Sequence, residues 1–239
     1  MRGRTFGIIA SAVSGGVFKS ALGNNGNASS GTSLVITTTA PIAIGDLVVV
    51  RVAADNLNAT TPTITCADSG GNTYTSRAFL GVNATAAAGV VGAILSTKAT
   101  VAVSTGGTIT VTLSGAVTAK AAYAESFTGF DDTLRNAAVT ASGTTAASTV
   151  TSGSATAGDL VVGLVAVESR AAPTYDTDTT GGAWSTGVNK PSATSGTDSG
   201  CVETNGQYKI VNATGAQTFN HTNTATEWVA MVCIFQKTP

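Results

Sequence analysis

One histidine and three cysteines are the residues of this 239-residue chain best suited to nucleophilic or metal chemistry, and their spacing serves neither. His221 stands in Asn220-His221-Thr222, on a polar run predicted as a strand or its end. A triad base needs a nucleophile on a sharp elbow, and no Gly-x-Ser-x-Gly segment presents one. His221 with Asp176 or Asp178 would make a hydrolytic set by chemistry alone, with nothing in the spacing to support it. Cys66, Cys201 and Cys233 form no Cys-x-x-Cys pair and there is no His-Glu-x-x-His, so a closed zinc site is not expected. Three cysteines at this low density read as buried apolar thiols.

Acidic residues offer two further chemistries. Asp131-Asp132, Asp176-x-Asp178 and Glu125 are the carboxylates that two-acid glycoside hydrolysis would require, but adjacent acids in turns more often bond local backbone amides. Asp176-Thr177-Asp178-Thr179-Thr180-Gly181 has the alternate oxygens of the front of a calcium loop and lacks the bidentate Glu that completes one. No metal centre is expected, with Asp176 and Asp178 the calcium candidates. Sugar binding needs exposed rings. Tyr74, Tyr175, Trp184 and Tyr208 fall in or beside predicted loops, and Tyr175 and Trp184 are the glycan-binding candidates; Trp228 and Phe235 sit in an apolar run and belong to the core. Sequons at Asn27, Asn58, Asn83, Asn212 and Asn220 follow from an Asn- and Thr-rich composition. The expectation is a non-enzymatic chain without a cofactor.

The elements that must position these residues are strands. Charged residues are 10% of the chain and its net charge is -1, against about 25% charged in an ordinary globular protein. Neither nucleic acid nor an anionic membrane is an expected partner, since both select a basic face. No apolar run reaches membrane-spanning length, and the basic start followed by Phe6-Gly7-Ile8-Ile9-Ala10-Ser11-Ala12 imitates a signal peptide whose apolar stretch is too short. Thr, Val, Ala and Gly dominate while Leu is scarce, which favours an all-β fold. Strands are predicted at 33–38, 46–54, 63–66, 73–79, 89–97, 108–113 and 121–128, then at 148–152, 159–167, 183–187, 206–211, 217–221 and 227–236.

The two series are related. Gly45-Asp46-Leu47-Val48-Val49-Val50-Arg51-Val52-Ala53 recurs as Gly158-Asp159-Leu160-Val161-Val162-Gly163-Leu164-Val165-Ala166, seven identities in nine at a spacing of 113. Gly31-Thr32 matches Gly143-Thr144, Pro62-Thr63 matches Pro173-Thr174, and Gly70-Gly71 matches Gly181-Gly182. One supersecondary plan used twice is the reading, with halves at about 32–130 and 143–237. Each copy is either its own small sandwich or one half of a larger interleaved sandwich. The small side chains favour the second, a jelly-roll-like β-sandwich with one shared core. Arg51, where the second copy has Leu164, is expected at a rim or in an ion pair. The joining segment 129–136 reads as a structured crossover. Residues 1–31 read as an N-terminal arm and flexible hinge, its apolar residues Phe6, Ile8, Ile9, Val13, Val17 and Phe18 placed against a neighbouring subunit or folded back on their own domain.

The order Gly-Asp-Leu-Val-Val, a Pro-Thr strand leading into Asp68-Ser69-Gly70-Gly71-Asn72-Thr73-Tyr74-Thr75 or Gly181-Gly182-Ala183-Trp184, and a closing Glu227-Trp228-Val229-Ala230 strand resembles a duplicated β-sandwich module of bacteriophage virion structural proteins and some bacterial surface proteins. Asn72-Thr73-Tyr74 and Gly182-Ala183-Trp184 stand where that family usually has a Gly-Trp turn. The resemblance spans residues 32 to 237 and carries no catalytic residue. It implies a capsid decoration, head-fibre or small tail protein, attached to the major capsid protein or neighbouring virion subunits and assembled in the host bacterial cytoplasm. A homo-oligomer is expected, a trimer being plausible for a virion part. The rival is a tail-associated or surface receptor- and glycan-binding module.

Overall fold

Two valine-rich runs govern the architecture: 47–55, apolar but for Arg51 and Asp55, and 160–167 are buried on both faces, so each must be covered by a layer above and a layer below. The computed structural model describes residues 15–56, 60–82, 89–195 and 200–239, and is all-β. Its first half contains β1 (Val17–Asn27), β2 (Gly31–Thr37), β3 (Leu47–Asp55), β4 (Ile64–Asp68), β5 (Thr75–Val82), β6 (Val90–Lys98), β7 (Thr108–Val117) and β8 (Lys120–Thr128). The second contains β9 (Phe130–Leu134), β10 (Val139–Gly143), β11 (Ala147–Ala155), β12 (Leu160–Val167), β13 (Val188–Pro191), β14 (Glu203–Ile210), β15 (Gly215–Thr222) and β16 (Trp228–Lys237).

All named strand pairs are antiparallel and nested. In the first half β1 pairs β8, β2 pairs β7 and β3 pairs β6, giving an inner sheet β1-β8-β3-β6-β5 and an outer sheet β2-β7-β4. In the second half β10 pairs β16, β11 pairs β15 and β12 pairs β14, giving an inner sheet β10-β16-β12-β14-β13 and an outer pair β11-β15. First-with-last, second-with-last-but-one pairing is the jelly-roll connection. The crossover is structured as expected: β9 adds to β16, with Leu134 opposite Phe235.

The layers run outer, inner, inner, outer, and three cores separate them. Strand alternation explains each. Val48, Val50, Val52 and Ala54 of β3 face the first outer sheet, with Val91, Leu95, Ile109 and Val111. Leu47, Val49 and Ala53 face the other way, onto Leu160, Val162, Leu164 and Ala166 of β12 and Met231 and Cys233 of β16. Val161, Val165 and Val167 face the second outer pair, with Phe219, Trp228 and Ile234. β1 lies against β13 and β5 against β16 and β10, so the two inner sheets meet with their strand orders reversed.

This arrangement corrects the expectation of interleaved halves. No named sheet mixes strands of the two copies; each copy closes its own sandwich, and the shared core is an additional layer between them. The reason is the second apolar face of β3 and β12, which a self-contained sandwich leaves uncovered.

The N-terminal hinge is also corrected. Residues 17–27 form β1, the edge strand of the first inner sheet, with register shifts at Lys19 and Leu22. Gly23 takes φ 128°, and a side chain there would strike the Thr37 carbonyl. The strand predicted at 183–187 does not form; the nearest one is β13.

Both Gly-Asp turns form as their sequence dictates. Gly45 and Gly158 have φ of 88° and 95°. Each following Asp accepts an amide three residues back, Ala43 N to Asp46 at 2.7 Å and Thr156 N to Asp159 at 2.8 Å, and each pairs with a cation, Lys19 and Arg135 respectively.

Arg51 is in an ion pair, as one expectation had it, and far from any rim. It is fully buried on the β3 face that meets the second half. Its Nη1 pairs with Glu125 Oε2, its Nε donates to Gly163 O at 3.0 Å and its Nη2 to Gln207 O at 3.2 Å. The guanidinium thus crosses the interface to the backbone of β12 and β14. Gly206 makes room for it: a Cβ there would lie 2.6 Å from Arg51 Cδ.

Removing one member of this pair strands a buried charge, which costs about 3–5 kcal/mol. Urea unfolding of Arg51→Met and of Glu125→Leu should each show a loss of that order, while the double variant recovers most of it. Additive losses would show that the two side chains act independently.

Candidate functional site

The second jelly roll departs from the first where its outer layer is short. The first outer sheet has three strands, with β4 on β7; in the second, a single bridge, Thr174 to Thr222, stands in the place of β4. The irregular segment 168–187 covers the rest of β14. A coil has backbone groups to satisfy, and a wholly apolar strand beneath it offers no partners. β14 accordingly carries Glu203, Asn205, Gln207 and Lys209 at alternate positions, all buried, where β6 of the first half presents Val91, Ala93 and Leu95.

Gln207 is the centre of this polar layer. Its Oε1 accepts from Asp176 N at 3.0 Å, and its Nε2 donates to Asp176 O at 3.0 Å and Ser185 O at 2.8 Å. It therefore binds the coil at two points, much as a neighbouring strand would. Lys209 donates to Thr180 O at 3.0 Å and lies 4.5 Å from the Trp184 ring centre; burial lowers its ammonium from the ordinary lysine value.

His221 completes the layer. It is fully buried on β15, with Nε2 2.8 Å from Gln207 Oε1. That oxygen already accepts an amide, so Nε2 carries the imidazole proton; Nδ1 has no partner. The ring packs on Phe219 at 4.3 Å and against the edge of Tyr175 at 5.3 Å. Burial pushes its pKa down to about 3, so the ring is neutral in ordinary conditions. No hydroxyl bonds either nitrogen, and Asp176 turns elsewhere: its carboxylate accepts Asp178 N at 2.7 Å and Asn220 N at 2.9 Å. The structure places His221 and Asp176 together as braces, in a geometry unlike that of a triad.

Asp178 accepts the amide and hydroxyl of Thr180 at 3.0 and 2.8 Å, and these bonds hold its carboxyl below the usual value. Asp176, Asp178, Thr180, Ala216, Thr218 and Asn220 line an open cavity of about 320 Å³ on the outer face. The calcium candidates thus line one hollow, but their described contacts are backbone amides and the Thr180 hydroxyl. Among the described residues no group of three His, Cys, Asp or Glu is arranged to hold a metal. The other acids are engaged by cations: Asp131 by Lys98, Asp132 by Arg77 and Glu125 by Arg51. Cys66, Cys201 and Cys233 are free and buried.

Of the glycan candidates, Trp184 is 8% exposed and wedged between Phe219 and Lys209, which leaves no face for a sugar. Tyr175 is half-buried with its edge on His221, and Gly187 lies so close that a Cβ there would be 2.1 Å from its ring. Both serve the coil, a correction of the exposed-platform expectation. Their position after a Pro-Thr run suggested a loop; the alternating polar residues of β14 were the signal that this loop would be pinned down.

The apolar arm divides. Phe6, Ile8, Ile9 and Val13 lie outside the described residues. Phe18, expected against a neighbouring subunit or folded back on its own domain, stacks on Tyr208 at 5.1 Å and meets the edge of Phe127 at 5.7 Å, sealing the border of the inter-sheet core; it remains 37% exposed. Val17 is 49% exposed. Comparison with protein-family models, with curated proteins and with solved structures returns no match to this chain.

The neutral His221 has a pH signature. Unfolded, it binds a proton below about pH 6.5; folded, it stays neutral until about pH 3, so its contribution to stability falls on acidification through that window. The unfolding free energy of the wild type minus that of His221→Gln should drop by about 1.4 kcal/mol per pH unit between about pH 6 and pH 4. A pH-independent difference would mean that the ring reaches solvent.

Proposed function

We propose that this chain is a non-enzymatic structural subunit of a bacteriophage particle, a capsid decoration or head-fibre protein that docks by the end at which β1 begins. The observation that carries the reading is the distribution of exposed apolar side chains. Val17 begins β1 and pairs with Thr128 at the end of β8; Leu47, just after Ile44, pairs with Phe127 and with Lys98, just before Val101. The register therefore gathers Val17, Phe18, Ile44 (70% exposed) and Val101 at one end, and four of the six large exposed apolar residues of the described chain lie there. The segment leading into that end contains Phe6, Ile8, Ile9 and Val13. An apolar end with an apolar lead-in gains free energy when covered by a neighbour.

The four-layer stack suits a rigid shell part. Jelly rolls serve in viral capsids and in lectins alike, so the fold does not choose between these roles. What favours the structural one is that the candidate base and aromatics are consumed in bracing the second outer layer. The resemblance to virion modules points the same way. The partners would be the major capsid protein or adjacent virion subunits, and copies would assemble as a homo-oligomer, for instance a trimer.

Purified particles from the source lysate, incubated with tagged protein and separated on a density gradient, test this. Full-length protein should co-sediment with particles. A variant lacking residues 2–14 and the variant Ile44→Ser/Val101→Ser should each bind at least tenfold less, with thermal unfolding unchanged. Undiminished binding by both would reject the docking end, and absence of full-length protein from particles would reject the virion role.

A further inference from the structure

At the opposite end of the seam between the two inner sheets, each sheet carries a buried acidic residue, Asp55 on one and Glu168 on the other. Ala53 pairs with Gly92 in the first inner sheet, and a Cβ added at Gly92 would lie 2.9 Å from Val229 Cγ2 and 3.0 Å from Ala166 Cβ in the second. Two residues farther along each chain, Asp55 ends β3 on the face toward the second half, and Glu168 follows β12 on the face toward the first. Glu168 is 2% exposed, and among the described residues neither of its carboxyl oxygens has a hydrogen-bond partner. Asp55 is 3% exposed and is held through Oδ2 by Ala119 N at 2.5 Å. Nearby, Asn56 Oδ1 and Thr204 Oγ1 are also buried without partners, Asn56 next to Asp55 and Thr204 opposite Ala166.

We propose that Glu168, with Asp55 facing it, makes this end of the seam a proton-operated latch, closed while the Glu168 carboxyl keeps its proton and loosened when the proton leaves.

The surroundings offer the charged form little. Glu227, which precedes β16 and whose carbonyl accepts the Glu168 amide at 3.1 Å, adds a second negative charge; Lys120 of β8 donates to Ser29 O at 2.7 Å and its charge favours the ionised form of Asp55; Arg170 follows at the surface; Glu203 of β14 points to the other side of its sheet. Burial first, then the charges of Asp55 and Glu227, push Glu168 up to about 9, and burial raises Asp55 as well. Opened to water, Glu168 would titrate near 4.5. The closed form therefore holds a proton that the open form has lost between those limits. Opening grows easier as pH rises through that range, by up to about tenfold per pH unit, and levels off above it. His221 titrates on the far face of the same sheet and in an acidic window, so the two effects separate.

Amide hydrogen exchange, corrected for its intrinsic pH dependence, reads the latch directly. The amides of Asp55, Asn56 and Glu168, bonded to Ala119 O, Gly89 O and Glu227 O, report this end; those of Ala99 and Val211, bonded to Asp46 O and Asp159 O, report the other. Between about pH 6 and pH 9 the first set should lose up to about tenfold of protection per pH unit while the second holds, and Glu168→Gln should abolish the loss without unfolding the chain. Asp55→Asn should reduce it. Equal loss at both ends, or the same loss in Glu168→Gln, would overturn the proposal.

Discussion

Every layer of this molecule follows from two strands that are apolar on both faces. All nine residues of β3 and all eight of β12 are buried, and alternation sends half of each set to either side. One side is covered by a strand layer drawn from the same half, which closes a jelly roll. The other can be covered only by the equivalent face of the other half. Pressing the two inner sheets together satisfies both at once, and the four-layer stack results. Small residues allow the approach, as where Gly92 faces Ala166 and Val229, and Phe18, Phe127, Phe130 and Tyr208 close the border.

Against that apolar background the buried polar groups mark where the halves differ. Arg51 and Glu125 occupy the shared core of the first half, while Leu164 stands at the corresponding position of the second. Because Arg51 also bonds the carbonyls of Gly163 and Gln207, only one lateral placement of the sheets satisfies it, so it fixes register more than it adds net stability. The polar face of β14 does comparable work on the opposite side. There Gln207, His221 and Lys209 hold a coil where the first half has a strand.

The fold was legible to the extent that local pattern determines it. Gly-Asp followed by a β-branched run marked both inner strands and their turns. The docking of two closed units was harder to see, since a strand buried on both faces reads the same whether its second cover comes from its own unit or from another. β1 escaped because its pairing is long-range: Gly23, Asn24 and Asn25 look like a hinge, and only β8 makes them a strand. The site residues misled for a related reason. Trp184 and Tyr175 sit in irregular backbone, which sequence equates with the surface, and the side chains that bury them, Lys209, Phe219 and His221, lie far along the chain on β14 and β15.

That the two jelly rolls share one core is the central claim, and the buried thiols can test it. Cys233 lies between the inner sheets and Cys66 inside the first jelly roll, both free and sealed from solvent. In single-cysteine variants, labelling each thiol across a urea series gives the free energy of the opening that exposes it. Matching opening energies and urea dependences for Cys233 and Cys66 are predicted, because a shared core makes the two halves unfold as one cooperative unit. Rapid labelling of Cys233 with a shallow urea dependence, while Cys66 stays protected, would contradict the account and leave two independent jelly rolls that merely touch.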